Sequence, residues 1–162
     1  MTETFDNTRQ MAGVFYPSNK MIKAMEAIRY PIKGSCQCGA VSYRVLAPPQ
    51  MVVACHCKEC QKLSTSAFSI TAIVRAEDIE FSGELSHWQR GSASGNISAA
   101  KFCGRCGNRI YHYNPAEPQS IKLKPSNLED TRIIQPSAHA WVSEKQDWFV
   151  IPPGVKQYTG QP

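Results

Sequence analysis

No stretch of this chain stays apolar for the about 20 residues that a bilayer-spanning helix needs. The opening 1-MTETFDNTRQMAGVFYPSNK-20 lacks the apolar core of a secretory leader. Neither export nor membrane insertion is therefore expected, and a reducing cytoplasmic setting is. Massed charge is missing too. The formal charge is +5, from 18 Lys+Arg against 13 Asp+Glu, and the basic residues are scattered. Without a basic stripe or run, nothing marks a nucleic-acid partner. Low-complexity tracts are absent, and after Lys33 no helical periodicity persists for about ten residues.

What remains is the composition of one globular unit. Of 162 residues, 42% are hydrophobic and 19% charged, enough for a single domain with its own core. Residues 1–32 read as an N-terminal extension, within which 21-MIKAMEAIRY-30 has the makings of a short helix stopped before Pro31. The domain proper runs over 33–162. Its texture is strand and turn: 40-AVSYRVL-46, 67-AFSITAIV-74, 97-ISAAKF-102, 109-RIYHY-113, 120-SIKLK-124, 139-HAWV-142 and 148-WFVI-151. The segments 78-DIEFSG-83 and 85-LSHWQR-90, divided by Gly83 and Glu84, read as a hairpin. The expected fold class is mainly β.

Seven cysteines fall in three clusters, 36-CQCG-39, 55-CHCKEC-60 and 103-CGRCG-107. A disulfide framework spreads its cysteines and uses an even number, and it does not persist in a reducing compartment. Separations of two or three residues suit thiolates that meet one ion about 2.3 Å from each sulfur. The first and third clusters are alike, each a cysteine pair followed at once by Gly39 or Gly107, where the chain can turn sharply. Brought together from 65 residues apart, Cys36, Cys38, Cys103 and Cys106 complete a closed structural site.

Cys55, Cys57 and Cys60 then form a second site with three thiolates, the pattern of a metal that keeps one exchangeable position. Either a ligand or water takes that position, or His56 or His139 closes it. His56 lies between two ligands, so in an extended segment its side chain points away from the metal. Thiolate softness favours zinc, with iron the main competitor.

The ordered motifs 34-GSCQCGAVSYRV-45, 55-CHCKECQKLSTSAF-68, 102-FCGRCGNRIYHY-113 and 136-PSAHAWVSEKQDW-148 resemble the glutathione-dependent formaldehyde-activating enzyme family, which includes the centromere protein V domain. The resemblance covers about Ile32 to Pro153. It implies an Mss4-like fold of packed antiparallel sheets with zinc knuckles, and two zinc ions per chain. Cys36, Cys38, Cys103 and Cys106 would hold a structural zinc, and Cys55, Cys57 and Cys60 a labile, functional one. The implied reaction joins glutathione to formaldehyde as S-hydroxymethylglutathione. The chain departs from the family pattern in three places. Gln61 stands where members commonly carry Arg, and Thr65 where they carry Gly. The segment 122-KLKPSNLEDT-131 matches loosely a stretch with Gly before Leu-Asp-Asp.

A free thiol has a pKa of about 8.5, and binding to zinc deprotonates it. An open position at the three-thiol site thus suits a small thiol such as glutathione, whose sulfur adds to a small aldehyde. Two alternatives stand beside this lyase-type enzyme: a glutathione carrier without turnover, and a zinc-stapled protein-interaction module. His139 and Trp141, at alternate positions of one expected strand, share a face and either line the pocket with His56 or pack in the core. Trp88 and Trp148 read as core or edge aromatics, and His87 and His112 as surface or structural. Lys101, Arg105 and Arg109 either meet glutathione carboxylates or are solvated charges.

Overall fold

A computed structural model describes residues 28–92 and 95–161. The expected helix over 21–30 falls mostly outside these residues, and Ile28–Tyr30 carry no helix. The regular structure of the described chain is mostly strand. In order it forms β1 (Ile32–Ser35), β2 (Ser42–Val45), β3 (Met51–Cys55), α1 (Lys58–Ser64), β4 (Ser69–Arg75), β5 (Ile79–Ser82) and β6 (Leu85–Gly91). Then come β7 (Ile97–Cys103), β8 (Arg109–Tyr113), β9 (Ser120–Leu123), β10 (Ala138–Ala140) and β11 (Lys156–Gln157).

Two sheets result, a small one in the order β1-β2-β5 and a large one in the order β11-β10-β3-β4-β9-β8-β7-β6. The period-two patterning explains how they meet. Along β2, Tyr43 and Val45 are buried while Ser42 and Arg44 are exposed, and Ile32 and Gly34 alternate in the same way on β1. That apolar face packs on Val52, Ala72, Val74, Ile110, Ile121 and Leu123 of the large sheet. Full burial of each aliphatic side chain stabilises by roughly 1.5–3 kcal/mol, so this interface is the main adhesive between the layers. Ile28 and Tyr30, in the segment read as an extension, also pack against it.

The strands differ from expectation in four respects. The sheets are not purely antiparallel, because β10 runs parallel to both β3 and β11. The segment 139–142 is a strand only as far as Ala140, since Trp141 turns into the left-handed region at φ 57° and Val142–Glu144 form a 3₁₀ turn. Residues 148–151 form no strand. Finally, β5 and β6 are not a hairpin: β5 pairs with β2 in the small sheet, whereas β6 pairs with β7 in the large one.

Gly83 makes that crossing possible. Its φ is +92°, and a Cβ built on it would lie 2.1 Å from the carbonyl oxygen of Ala40, in the first cysteine loop. Both features exclude a side chain. Gly83→Ala is therefore expected to cost about 2–3 kcal/mol and to lower the thermal midpoint by roughly 5–10 °C. Gly91→Ala, with nothing within 4 Å of the added Cβ and no positive φ, serves as the control and should stay within about 0.5 kcal/mol. Circular dichroism melts of the two variants check the pair.

Candidate metal centres

Cys36 follows β1 directly and Cys103 ends β7, so the two sheets deliver one cysteine pair each. The loops that carry them are built alike. The Cys36 amide donates to Val41 O at 2.9 Å, and the Cys103 amide donates to Asn108 O at 3.0 Å. Gly39 and Gly107 turn back at φ 75° and 73°, and their amides donate to the carbonyls of Cys36 and Cys103. Asn108 also ties one loop to the other, its Oδ1 accepting from the Gln37 amide at 3.2 Å. Two cysteine pairs thus face each other.

The four Sγ atoms of Cys36, Cys38, Cys103 and Cys106 lie within 4.8 Å of one another. The separations Cys36–Cys38 and Cys38–Cys103 are 3.6 and 3.7 Å. A tetrahedron with bonds of about 2.3 Å has edges of about 3.8 Å, so this cluster has the dimensions to chelate one metal ion. The Val41 amide donates to Cys36 Sγ at 3.2 Å, a bond that stabilises thiolate character.

The second cluster sits where β3 runs into α1. Cys55 ends the strand, Cys57 caps the helix with its sulfur accepting from the Cys60 amide at 3.4 Å, and Cys60 occupies the first turn. A residue with extended backbone at Cys57 and helical backbone at Cys60 is what folds three sulfurs onto one point. They too lie within 4.8 Å of one another, and among the described residues no histidine or carboxylate joins them. Crowding splits their acidities. Hydrogen bonds from Cys55 and Cys60 draw the Cys57 thiol far down, and donation to Cys57 pushes Cys55 far up.

His56 and His139 are both buried, but against each other, with His56 Nε2 2.7 Å from His139 Nδ1. In the register, Ala54 faces His139 and Cys55 faces Ala140. The pair therefore belongs to the Ala54 side of β3, away from Cys55. Phe68 and Phe149 enclose it, with ring centroids 5.4 Å from that of His56. Burial, then His139 and then Lys145, hold the His56 imidazole neutral by lowering its pKa to about 4. Trp141 does not share the face of His139. It packs instead with Val53, Ala138 and Ala140 on the other side of the sheet, because the left-handed turn at Trp141 takes it out of strand register. Trp88 lies exposed on the edge strand β6, and Trp148 is 71% exposed in a turn rather than in the core.

A cavity of about 630 Å³ opens between the four-thiol cluster and the neighbours of the three-thiol cluster, Cys55, Cys57 and Cys60 not themselves lining it. Ser64 and Phe68 line it from the side of the three-thiol cluster, Cys106 and Asn108 from the four-thiol side, and Arg109 and Lys124 contribute charge. Of the three cations around the second cysteine pair, Arg109 reaches this cavity and Lys101 and Arg105 do not. Lys124 is buried, and its Nζ donates to Ser69 Oγ at 2.7 Å and Thr71 Oγ1 at 3.0 Å. Burial lowers its pKa to about 8, against the opposing pull of the nearby Cys60 thiol. Sequence reasoning passed over Lys124. It follows β9 directly, after the inward Ile121 and Leu123, and precedes the 3₁₀ turn Pro125–Asn127.

The profile of the glutathione-dependent formaldehyde-activating enzyme family matches residues 31–144, well over half of the chain. The chain belongs to this family. A Halomonas elongata protein provisionally named a glutathione-dependent formaldehyde-activating enzyme is 27% identical over 126 residues, covering 74% of this chain and 80% of that protein. A crystal structure of a Rhodobacter sphaeroides protein is 20% identical with a TM-score of 0.46, covering 78% of this chain and 98% of that one.

The places where this member of the formaldehyde-activating family departs from the common pattern now have physical contents. Thr65 is the C-cap of α1 and adopts the left-handed conformation, φ 47° and ψ 39°. Glycine takes that conformation without strain and a β-branched residue does not. Gln61 bridges α1 to the C-terminal segment: Nε2 donates to His56 O and Glu144 O, and Oε1 accepts from Gln146 Nε2 at 2.8 Å. Within the loosely matching 122–131, Pro125–Asn127 form a 3₁₀ turn beside Lys124.

Two expectations follow. Thr65→Gly should raise stability by about 0.5–1 kcal/mol, the relieved left-handed strain outweighing the entropy of a freer unfolded chain, as read by a denaturant midpoint. In native mass spectrometry of protein refolded with zinc, the unaltered chain should bind two ions and Cys57→Ser one. Cys103→Ser should likewise bind one ion, and should lose about 3 kcal/mol or more of stability.

Proposed function

We propose that this chain is a zinc-dependent carbon–sulfur lyase-type enzyme that combines glutathione with formaldehyde, or a closely related thiol and aldehyde. Family membership supports the class of reaction. The observation that carries the reading is the cluster Cys55, Cys57 and Cys60, which no fourth protein group closes among the described residues. Cys36, Cys38, Cys103 and Cys106 would hold a structural zinc and complete an Mss4-like pair of knuckles. The seven thiols of the two clusters are all free of disulfides, in keeping with a reducing, cytoplasmic setting.

Zinc at the three-thiol cluster would supply the Lewis acidity that keeps a fourth, incoming thiol deprotonated near neutral pH. In the reaction the sulfur forms a bond to the aldehyde carbon, the carbonyl π pair moves to oxygen, and that oxygen gains the proton the thiol gave up. The chain's own part is placement. The cavity beside the cluster has the size of pockets that enclose a tripeptide-sized ligand, and holding both reactants there removes the entropy of their encounter. His56 Nε2 and His139 Nδ1 are taken by each other, and the contribution we assign to this buried pair is to hold the backbone of Cys55 and Cys57 in place.

Thiols add to formaldehyde unaided, so catalysis has to be read as a rate. Exchange-resolved NMR of glutathione with formaldehyde should show S-hydroxymethylglutathione forming at least tenfold faster with zinc-loaded protein. Cys57→Ala should return the rate to background while the chain stays folded, its melting midpoint lowered only by the lost helix cap and ion. Glutathione that binds with no acceleration would mean a carrier, and no response to glutathione at all would mean an interaction module.

A further inference from the structure

We infer that Lys124 and Arg109 form a carboxylate-binding subsite in the cavity between the two thiol clusters, so that the thiol substrate is one bearing a carboxylate near its sulfur. The inference deepens the proposed function and rests on it for the identity of the reacting group.

A buried ammonium is costly unless it is compensated. Lys124 is 9% exposed, and its hydrogen-bond partners are two neutral hydroxyls, Ser69 Oγ and Thr71 Oγ1. Those bonds satisfy protons but do not cancel charge. Among the described residues, the ion pairs join Arg44, Lys62, Arg75, Arg90 and Arg132 to acids elsewhere, and none includes Lys124 or Arg109. No carboxylate lines the cavity. Arg109, half-buried at the same cavity, is disfavoured as a cation by burial and by Arg90. Two cations thus face one hollow that the Cys106 thiol borders on the four-thiol side and whose other polar lining, Ser66, Ser126 and Asn127 among it, is neutral. Such a hollow focuses positive potential and recruits an anion.

The placement of Lys124 says how that anion would sit. Ser69, which accepts from the ammonium, is the cross-strand partner of Cys55 in the β3–β4 register. Side chains opposite each other in that way stand about 5 Å apart at Cβ. A molecule whose carboxylate meets Lys124 therefore has its thiol within a few bonds of Cys55, Cys57 and Cys60. The hydroxyls of Ser69 and Thr71 hold the ammonium at a fixed point, which adds direction to charge.

A rival role exists on the same geometry. Lys124 feels Cys60, Cys55 and Cys57, and would then serve only to balance their thiolate charge. The two roles separate in one experiment. Zinc-loaded protein, with occupancy checked by native mass spectrometry, is titrated calorimetrically with 3-mercaptopropionate, 2-mercaptoethanol, glutathione and the glycyl monoethyl ester of glutathione. The acid should bind about ten- to a hundredfold more tightly than the neutral thiol. Lys124→Gln should erase that preference while still binding 2-mercaptoethanol, and Arg109→Gln should reduce it by a smaller factor.

Equal affinity for acid and neutral thiol in the unaltered protein would overturn the subsite. So would a preference that survives Lys124→Gln, or a Lys124→Gln protein that loses zinc while its ratio of affinities stays put. If glutathione binds and turns over without dependence on Lys124, the subsite falls and the proposed function stands. If glutathione fails to bind while 3-mercaptopropionate binds with a Lys124-dependent preference, the function reading falls and the subsite stands. A monoethyl ester that loses affinity only in the presence of Lys124 identifies the glycyl carboxylate as the group held there.

Discussion

Four sulfurs within 4.8 Å of one another are the constraint on which the rest of the molecule depends. Cys36 and Cys38 extend from the small sheet and Cys103 and Cys106 from the large one, so a metal ion there would be a direct chemical link between the layers. Its reach goes beyond the layers. Cys103 and Asn108 set the turn from which β8 departs, which fixes Arg109, and β8 in turn pairs with β9, which ends next to Lys124. Both cations of the cavity are therefore positioned by way of the four-thiol cluster. Polar bonds finish the job: Gln61 and Glu144 lock α1 to the segment after β10, with the Lys58 amide donating to Glu144 Oε2 at 2.6 Å.

The legible part of this molecule was the part encoded by local spacing. Ligand spacing is a covalent property, so three cysteine clusters could be sorted into four plus three before any fold was known, and both groups converge in space. Alternation was equally reliable where one face of a strand is wet, as in β2 and β9. It failed where both faces are covered. Val52, Val53 and Ala54 of β3 are all buried, so the strand that carries Cys55 shows no alternation. The helix α1 was invisible for the opposite reason: its seven residues bury none of their number, leaving no apolar stripe to detect.

Other features were out of reach because they are long-range. Gly83 looks like a turn residue, but its role is set by Ala40, a neighbour only once two sheets are stacked. Lys124 closes the expected strand 120-SIKLK-124 and drew no reading of its own, because the groups that bury its ammonium, Ser69 and Thr71, lie on β4 and more than 50 residues away. Trp141 was placed on the face of His139 by assuming that the strand continued, and a single left-handed residue undid the assumption. In each case the sequence contains the residue and omits its partner.

The position of β10 has a consequence in time as well as in space. The strand bearing Cys55 receives its second neighbour from residues 138–140, laid parallel to it, and Gln61 and Lys58 receive their partners from 144–146. Contacts that join residues so far apart along the chain carry a large loop-closure cost, and folds rich in them acquire those contacts slowly. The four-thiol cluster is long-range as well, Cys38 meeting Cys103 across 65 residues, whereas Cys55, Cys57 and Cys60 are neighbours in sequence. What the three-thiol cluster waits for is its frame: a chain caught before β10 and residues 144–146 dock would carry its local sulfurs without the wall that holds them.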